Sequence, residues 1–229
     1  MKKDKIIFVA CDTSNIKQVK KIIKYTKKYK LVPKFGLQFF YSKYGRKFLE
    51  TFKSPYFLDL KISDVPNTAL SAIDSLKDLK KFRYITVHAS GGSQMLRAVT
   101  KKAKKINKNI KVLGVTILTS LNNKLVKEIG YKDSIDQLVL KQADLIKRSG
   151  AAGCVCSARE AKIIRSKYKD LFIVTPGIRL PGDKINDQAR VMTPNEAFKN
   201  KASAIVIGRS LLNGNIKDNV RKLIDHLDQ

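Results

Sequence analysis

The chain has 229 residues, 43% of them hydrophobic, and a formal net charge of +28. That is enough apolar material for one large core, and the length suits a single α/β barrel better than two domains; no run of about 18 apolar residues offers a membrane span. The apolar run from Ile6 meets an acid at Asp12, too early for the core of a secretory leader, so a cytoplasmic location is expected.

A pI near 10.1 raises the question of a nucleic-acid partner. The lysines, however, fall on nearly every predicted helix, as in Lys20-Lys21, Lys27-Lys28 and Lys101-Lys102, rather than in one arm or on one face. No glycine-arginine tail and no row of aromatics for stacking bases accompanies them. Compositional bias in a chain rich in Lys, Asn and Ile accounts for such a spread, so no nucleic-acid partner and no membrane partner is expected. The charge should still draw anionic small molecules inward.

From the start, strand-length apolar runs alternate with amphipathic helical stretches. A strand is predicted over residues 5–10 and a helix over 15–28; strands over 31–36 and 56–60 then precede a helix over 67–79. There follow a strand over 84–87, a helix over 93–106, a strand over 110–117 and a helix over 134–148. The last part reads as a strand over 152–156, helix 159–168, strand 171–174, helix 194–199, strand 204–207 and helix 216–227. Such alternation implies right-handed crossovers and a parallel sheet. Eight units in this length fit a closed (β/α)8 TIM barrel, a single domain over residues 1–229.

Chemistry in such barrels sits at the C-terminal ends of the strands, which collects Asp12, Lys34, Gln38, Asp59, Lys61, His88, Thr119 and Ser120. The densest stretch is Asp59-Leu-Lys-Ile-Ser-Asp-Val-Pro-Asn-Thr68. Residues i and i+2 of a strand share a face, so Asp59 and Lys61 should project together, with Asp64 in the loop beyond. A solvated surface cluster is the alternative reading of that triplet. After the seventh and eighth strands, Thr175-Pro-Gly-Ile-Arg179 and Gly208-Arg209 read as a phosphate site, with glycines for close backbone approach and Arg209 as a donor fork. Gly177 and Gly182 serve equally as plain turn residues. Gln188 lies in a long connection able to close over a ligand. Cys11, Cys154 and Cys156 lack metal-ligand spacing and read as small hydrophobes. His88 and His226 are the only histidines, and no acid cluster surrounds them, so neither a metal nor a cofactor is expected. His88 reads as a supporting hydrogen-bonding residue and His226 as a solvated one.

With these residues assembled, the chain resembles the orotidine 5'-phosphate decarboxylase family almost end to end. The resemblance rests on the order of Val9-Ala-Cys-Asp12, Lys34-Phe-Gly-Leu-Gln-Phe-Phe40, the stretch from Asp59 to Thr68, Thr86-Val-His-Ala-Ser-Gly-Gly92 and Gly114-Val-Thr-Ile-Leu-Thr-Ser120. Gly153-Cys-Val-Cys-Ser-Ala158, Thr175 to Arg179, Asp187-Gln188 and Val206-Ile-Gly-Arg209 continue it. It implies conversion of orotidine 5'-phosphate to UMP and CO2 by a homodimer. Lys34, Asp59, Lys61 and Asp64 would match the family's alternating catalytic network, the last aspartate serving the neighbouring subunit. Asp12 and Lys34 would hold ribose hydroxyls, Asp64 and Thr68 would reach the partner's ribose, and Ser120 would read the pyrimidine. Gln188, Arg209 and the backbone near Gly208 would grip the phosphate. Gln38 stands where a glutamate is common and Cys11 where an aliphatic residue is common. The nearest rivals, 3-keto-L-gulonate 6-phosphate decarboxylase and hexulose 6-phosphate synthase, share the Asp-x-Lys-x-x-Asp run but use a metal and sugar phosphates.

Overall fold

The expected alternation closes on itself: eight parallel strands pair in chain order, and β8 returns to β1. The structure, a computed structural model, describes residues 5–183 and 191–228. Its strands are β1 (Ile6–Ala10), β2 (Val32–Gly36), β3 (Tyr56–Ile62), β4 (Phe82–His88), β5 (Lys111–Val115), β6 (Gly153–Val155), β7 (Phe172–Ile178) and β8 (Ala204–Ile207). The larger helices are α1 (Ile16–Thr26), α4 (Pro66–Asp74), α5 (Gly92–Ile106), α7 (Ile135–Arg148), α8 (Ala158–Lys167) and α11 (Ile216–Asp228). Shorter ones are α2 (Leu37–Phe40), α3 (Gly45–Thr51), α6 (Asn123–Glu128), α9 (Pro194–Lys199) and α10 (Arg209–Leu212). Among the described residues no helix is long and apolar enough to cross a membrane.

Strand alternation sorts the core into two. Phe8, Phe57, Leu113, Val174 and Val206 point into the barrel and pack on one another, while Val9, Phe35, Leu58 and Ile85 face the helices. At the N-terminal end Tyr84 and Phe172 stack with ring centroids 5.8 Å apart, and the Lys111 ammonium lies 4.7 Å from the Phe172 centroid. That end is therefore filled, and the open end is the one where the strands finish. Helix starts follow local chemistry: Asn15 accepts from the N–H groups of Lys17 and Gln18, and Ser134–Gln137 and Thr193–Glu196 form capping boxes.

The departures from expectation have local causes. The strand expected to stop at Val174 continues through Pro176 and Gly177 to Ile178, because a bulge opposite β8 absorbs an extra residue and Gly177 adopts φ 77°. The fifth strand ends at Val115, where Thr116 turns to donate its hydroxyl to the Val155 carbonyl, 2.9 Å away. α3, between β2 and β3, was not expected; its sequence is too short and mixed to show an apolar stripe. His226, expected to be solvated, is partly buried and accepts from the Asn195 N–H at 3.5 Å.

Gly114 shows how closely helix and sheet approach. A Cβ there would lie 2.3 Å from Cγ1 of Ile146, a fully buried residue of α7. Gly114→Ala is expected to destabilise the barrel by about 1–3 kcal/mol through overpacking. Combined with Ile146→Ala, it should cost less than the sum of the two single changes. Chemical denaturation of the three variants checks this, and strict additivity would refute the contact.

Candidate active site

The site starts with a lysine in the barrel. Lys34 faces inward on β2 and is only 5% exposed, so its ammonium must be met by acids. Its Nζ lies 3.0 Å from Oδ2 of Asp59 and 3.3 Å from Oδ1 of Asp12. Asp59 Oδ1 in turn takes the Lys61 ammonium at 2.9 Å. Charges therefore alternate from Asp12 after β1, through Lys34 on β2, to Asp59 and Lys61 on β3. Gly36 leaves room for the chain, because a Cβ there would stand 3.0 Å from Asp12 Oδ1 and 3.5 Å from Lys34 Nζ.

Lys61 does not reach this position by simple alternation. Between Leu58 and Ile62 β3 advances four residues while β4 advances two, from Ile85 to Val87. Lys61 sits in the resulting bulge with φ 49°, a left-handed conformation that costs an L-residue on the order of 1–3 kcal/mol. Its N–H donates to Thr86 Oγ1 at 2.9 Å, and the Thr86 hydroxyl lies 2.9 Å from Asp59 Oδ1. Sequence reasoning gave Thr86 no role; its place two residues before His88 on an inward face was the available signal.

Burial would raise the Asp59 carboxyl, but Lys34 and then Lys61 outweigh it and lower its pKa from 3.8 to about 2. For Lys34, burial works against the charge, yet Asp59 and Asp12 together lift the pKa above its ordinary value. Both groups are thus charged at neutral pH. His88, at the end of β4, is lowered by burial and then by the Lys61 charge, so it is neutral. Its ring makes no hydrogen bond to the described residues. Cys11 is buried and its thiol is pushed up to about 12, which makes it inert; Cys154 and Cys156 are buried as expected.

A cavity of about 450 Å³ opens above the charge chain. Phe57, Val155 and Val206 give it an apolar floor, and Asp12, Lys34, Asp59 and Lys61 occupy one side. Ser120, beside Thr119 and Leu118, lies on the loop after β5, and Gly208 and Arg209, after β8, line the wall next to β1. Arg179 belongs to that wall too, 7% exposed, with an NH1 donating to the Ile178 carbonyl at 2.9 Å. The sequence placed Arg179 after β7, at the end of a segment read as part of a phosphate site, without giving its side chain a separate role. α10 is only four residues long, so it offers local N–H groups rather than a long helix dipole.

Asp64 and Thr68 do not join this cavity. Both are exposed beside it, and Asp64 Oδ1 accepts from the Val65 N–H at 2.7 Å. Gln188 lies outside the described residues. Gln38 lines the cavity. Among the described residues no group of three or more His, Cys, Asp or Glu side chains gathers as a metal site.

Residues 5–222 match the model of the Orotidine 5'-phosphate decarboxylase / HUMPS family. The chain belongs to that family. A relative from Fusobacterium nucleatum named orotidine 5'-phosphate decarboxylase is 38% identical over 99% of this chain and 96% of its own. Another of that name, from Erythrobacter litoralis, is 36% identical over 90% of this chain and 91% of its own. The crystal structure of orotidine 5'-phosphate decarboxylase from Lactobacillus acidophilus superposes with a TM-score of 0.83 at 30% identity, covering 99% of this chain and 100% of that one. The charge chain and the cavity therefore lie in a barrel whose family is shared across the whole match.

The depressed Asp59 pKa has a sign that can be tested. Its carboxylate contributes stability that is present above about pH 4, the unfolded value, and lost as pH falls through about 2. Asp59→Asn should be less stable at pH 7, with Lys34 deprived of its nearer partner, and should lose less than the native protein between pH 4 and pH 2. Thermal melts across that window decide it; parallel losses in both proteins would refute the assignment.

Proposed function

We propose that the protein releases CO2 from orotidine 5'-phosphate to give UMP, with Lys61 stabilising and then protonating the carbanion at C6. The observation that carries the reading is the Asp12–Lys34–Asp59–Lys61 chain beneath a cavity that Arg179 and Arg209, from the ends of β7 and β8, also line. Loss of CO2 leaves an electron pair in the plane of the pyrimidine, where the ring's π system cannot take it up. A fixed ammonium supplies both the counter-charge and the proton. Asp59 orients the Lys61 ammonium through their 2.9 Å ion pair, and its own charge would face the substrate carboxylate until CO2 departs.

The remaining contacts follow from the two ends of the substrate. Asp12 and Lys34 hold ribose hydroxyls, Ser120 reads the pyrimidine amide edge, and Gly208, Arg209 and Gln188 grip the phosphate. Binding energy from that distant phosphate helps hold the reacting end in place. Asp64 and Thr68 serve the active site of a second copy. Their exposure supports this, as do Tyr41, Tyr44 and Val65, 77%, 55% and 63% exposed on the loops that follow the adjacent strands β2 and β3. No metal or cofactor takes part, and the product leaves as UMP.

Orotidine 5'-phosphate should be consumed, by loss of absorbance, in the presence of EDTA. Turnover that requires added Mg²⁺ would point instead to the metal-using sugar phosphate enzymes. Lys61→Ala should lower kcat by at least about 10³-fold with a melting temperature within a few degrees of native; near-normal activity would remove Lys61 from the chemistry. Mixing inactive Lys61→Ala with inactive Asp64→Ala subunits should restore part of the activity, because one mixed site keeps both native residues. No recovery after demonstrated subunit exchange would count against a shared site.

A further inference from the structure

Lys61 carries two burdens that its own strand does not relieve: a left-handed backbone, at φ 49°, and an ammonium that must be aimed at one point. We propose that Thr86 is the positioning residue that fixes both, acting through Lys61 and Asp59 without touching the substrate. The inference rests on the reading of Lys61 as the reacting amine.

The geometry is specific. β3 is paired normally up to Leu58 opposite Ile85 and again at Ile62 opposite Val87. Thr86 is thus the one β4 residue that faces the whole bulge from Asp59 to Lys61. Its side chain is fully buried, so water does not substitute for its bonds at no cost. A backbone N–H can only donate and a carboxylate can only accept. The Lys61 N–H therefore donates to Thr86 Oγ1, and the Thr86 proton goes to Asp59 Oδ1, each at 2.9 Å. The Lys61 ammonium reaches the same Asp59 Oδ1, also at 2.9 Å. The three bonds close a ring in which a single hydroxyl ties the lysine's backbone to the acid that orients its tip. Neither group of β3 has this partner within its own strand.

The chemistry explains why a hydroxyl on a β-branched residue suits the position. The branched side chain is stiff at χ1, so the oxygen is held at one place between the two strands. Serine keeps the donor and acceptor but loses the methyl; valine keeps the shape but loses both bonds. This pair separates positioning from packing.

Thr86→Val should lower kcat for orotidine 5'-phosphate by about 10–100-fold, the scale of an angstrom-sized displacement of a reacting group. KM should stay within about twofold, since no substrate contact is removed. Thr86→Ser should recover kcat to within about threefold of native. Loss confined to KM, equal losses in Thr86→Val and Thr86→Ser, or full kcat in Thr86→Val would each overturn the proposal. If Thr86→Val does not fold, Thr86→Ala takes its place against Thr86→Ser with the same expected contrast. A native enzyme inert toward orotidine 5'-phosphate would sink the functional reading but not this test, which then passes to a crystal structure of Thr86→Val. There the proposal requires Lys61 to leave the left-handed region or its ammonium to leave Asp59; an unchanged Lys61 would end it.

Discussion

One buried ammonium sets the terms for the whole open end of the barrel. Lys34 is placed by strand register in an interior otherwise filled by Phe8, Phe57 and Val206, where an uncompensated charge is not tolerated. It requires carboxylates on both neighbouring strands, and Asp12 and Asp59 meet that need. Asp59, drawn to Lys34 on one oxygen, has the other left for Lys61. The more exposed lysine at the cavity thus inherits its position from the buried one. Its orientation belongs to the fold and needs no ligand to create it.

The active end is also where the sheet stops being regular. β3 and β7 both carry bulges against their neighbours, with Lys61 and Gly177 at positive φ. A bulge redirects a side chain that plain alternation would send elsewhere. At β7 the extra residue carries the strand on to Arg179, bringing a buried guanidinium to the cavity wall. At β3 it brings Lys61 back over Asp59. In both places pairing resumes beyond the irregularity, so the surrounding ladder holds a backbone shape that an isolated segment would not keep.

Much of this was legible in the chain. Apolar runs of strand length gave eight strands in the right order, and the rule that barrels work at their strand ends picked out Asp12, Lys34, Asp59, Lys61, Ser120, Gly208 and Arg209, all of which line one cavity. The alternation argument for Asp59 and Lys61 reached the right place by an incomplete route, because a period of two cannot foresee a bulge. Thr86 was passed over for a different reason. It takes its place through residues 25 and 27 positions earlier, and single-strand patterning carries no information about such pairs. The small helices α2, α3, α6 and α10 were too short for a 3.6-residue period to register.

The cavity is electrically lopsided, and this ties its two ends to one task. Two acids and two lysines at the ends of β1–β3 cancel in net charge while keeping strong local fields, whereas the ends of β7 and β8 hold Arg179 and Arg209. On the proposed reading, an anion with a compact phosphate at one end and a planar ring at the other would be received in one direction, the phosphate toward the arginines and the ring toward the lysine. The formal charge of +28 adds a long-range pull that salt screens over about 8 Å at physiological strength, so it hastens arrival without selecting orientation. Orientation comes from the short-range asymmetry. A neutral quartet is better suited than bare positive charge to the reacting end. On the proposed mechanism it would hold one ammonium at the carbon that becomes negative, without binding the ground-state carboxylate so tightly that the difference between ground and transition state is lost.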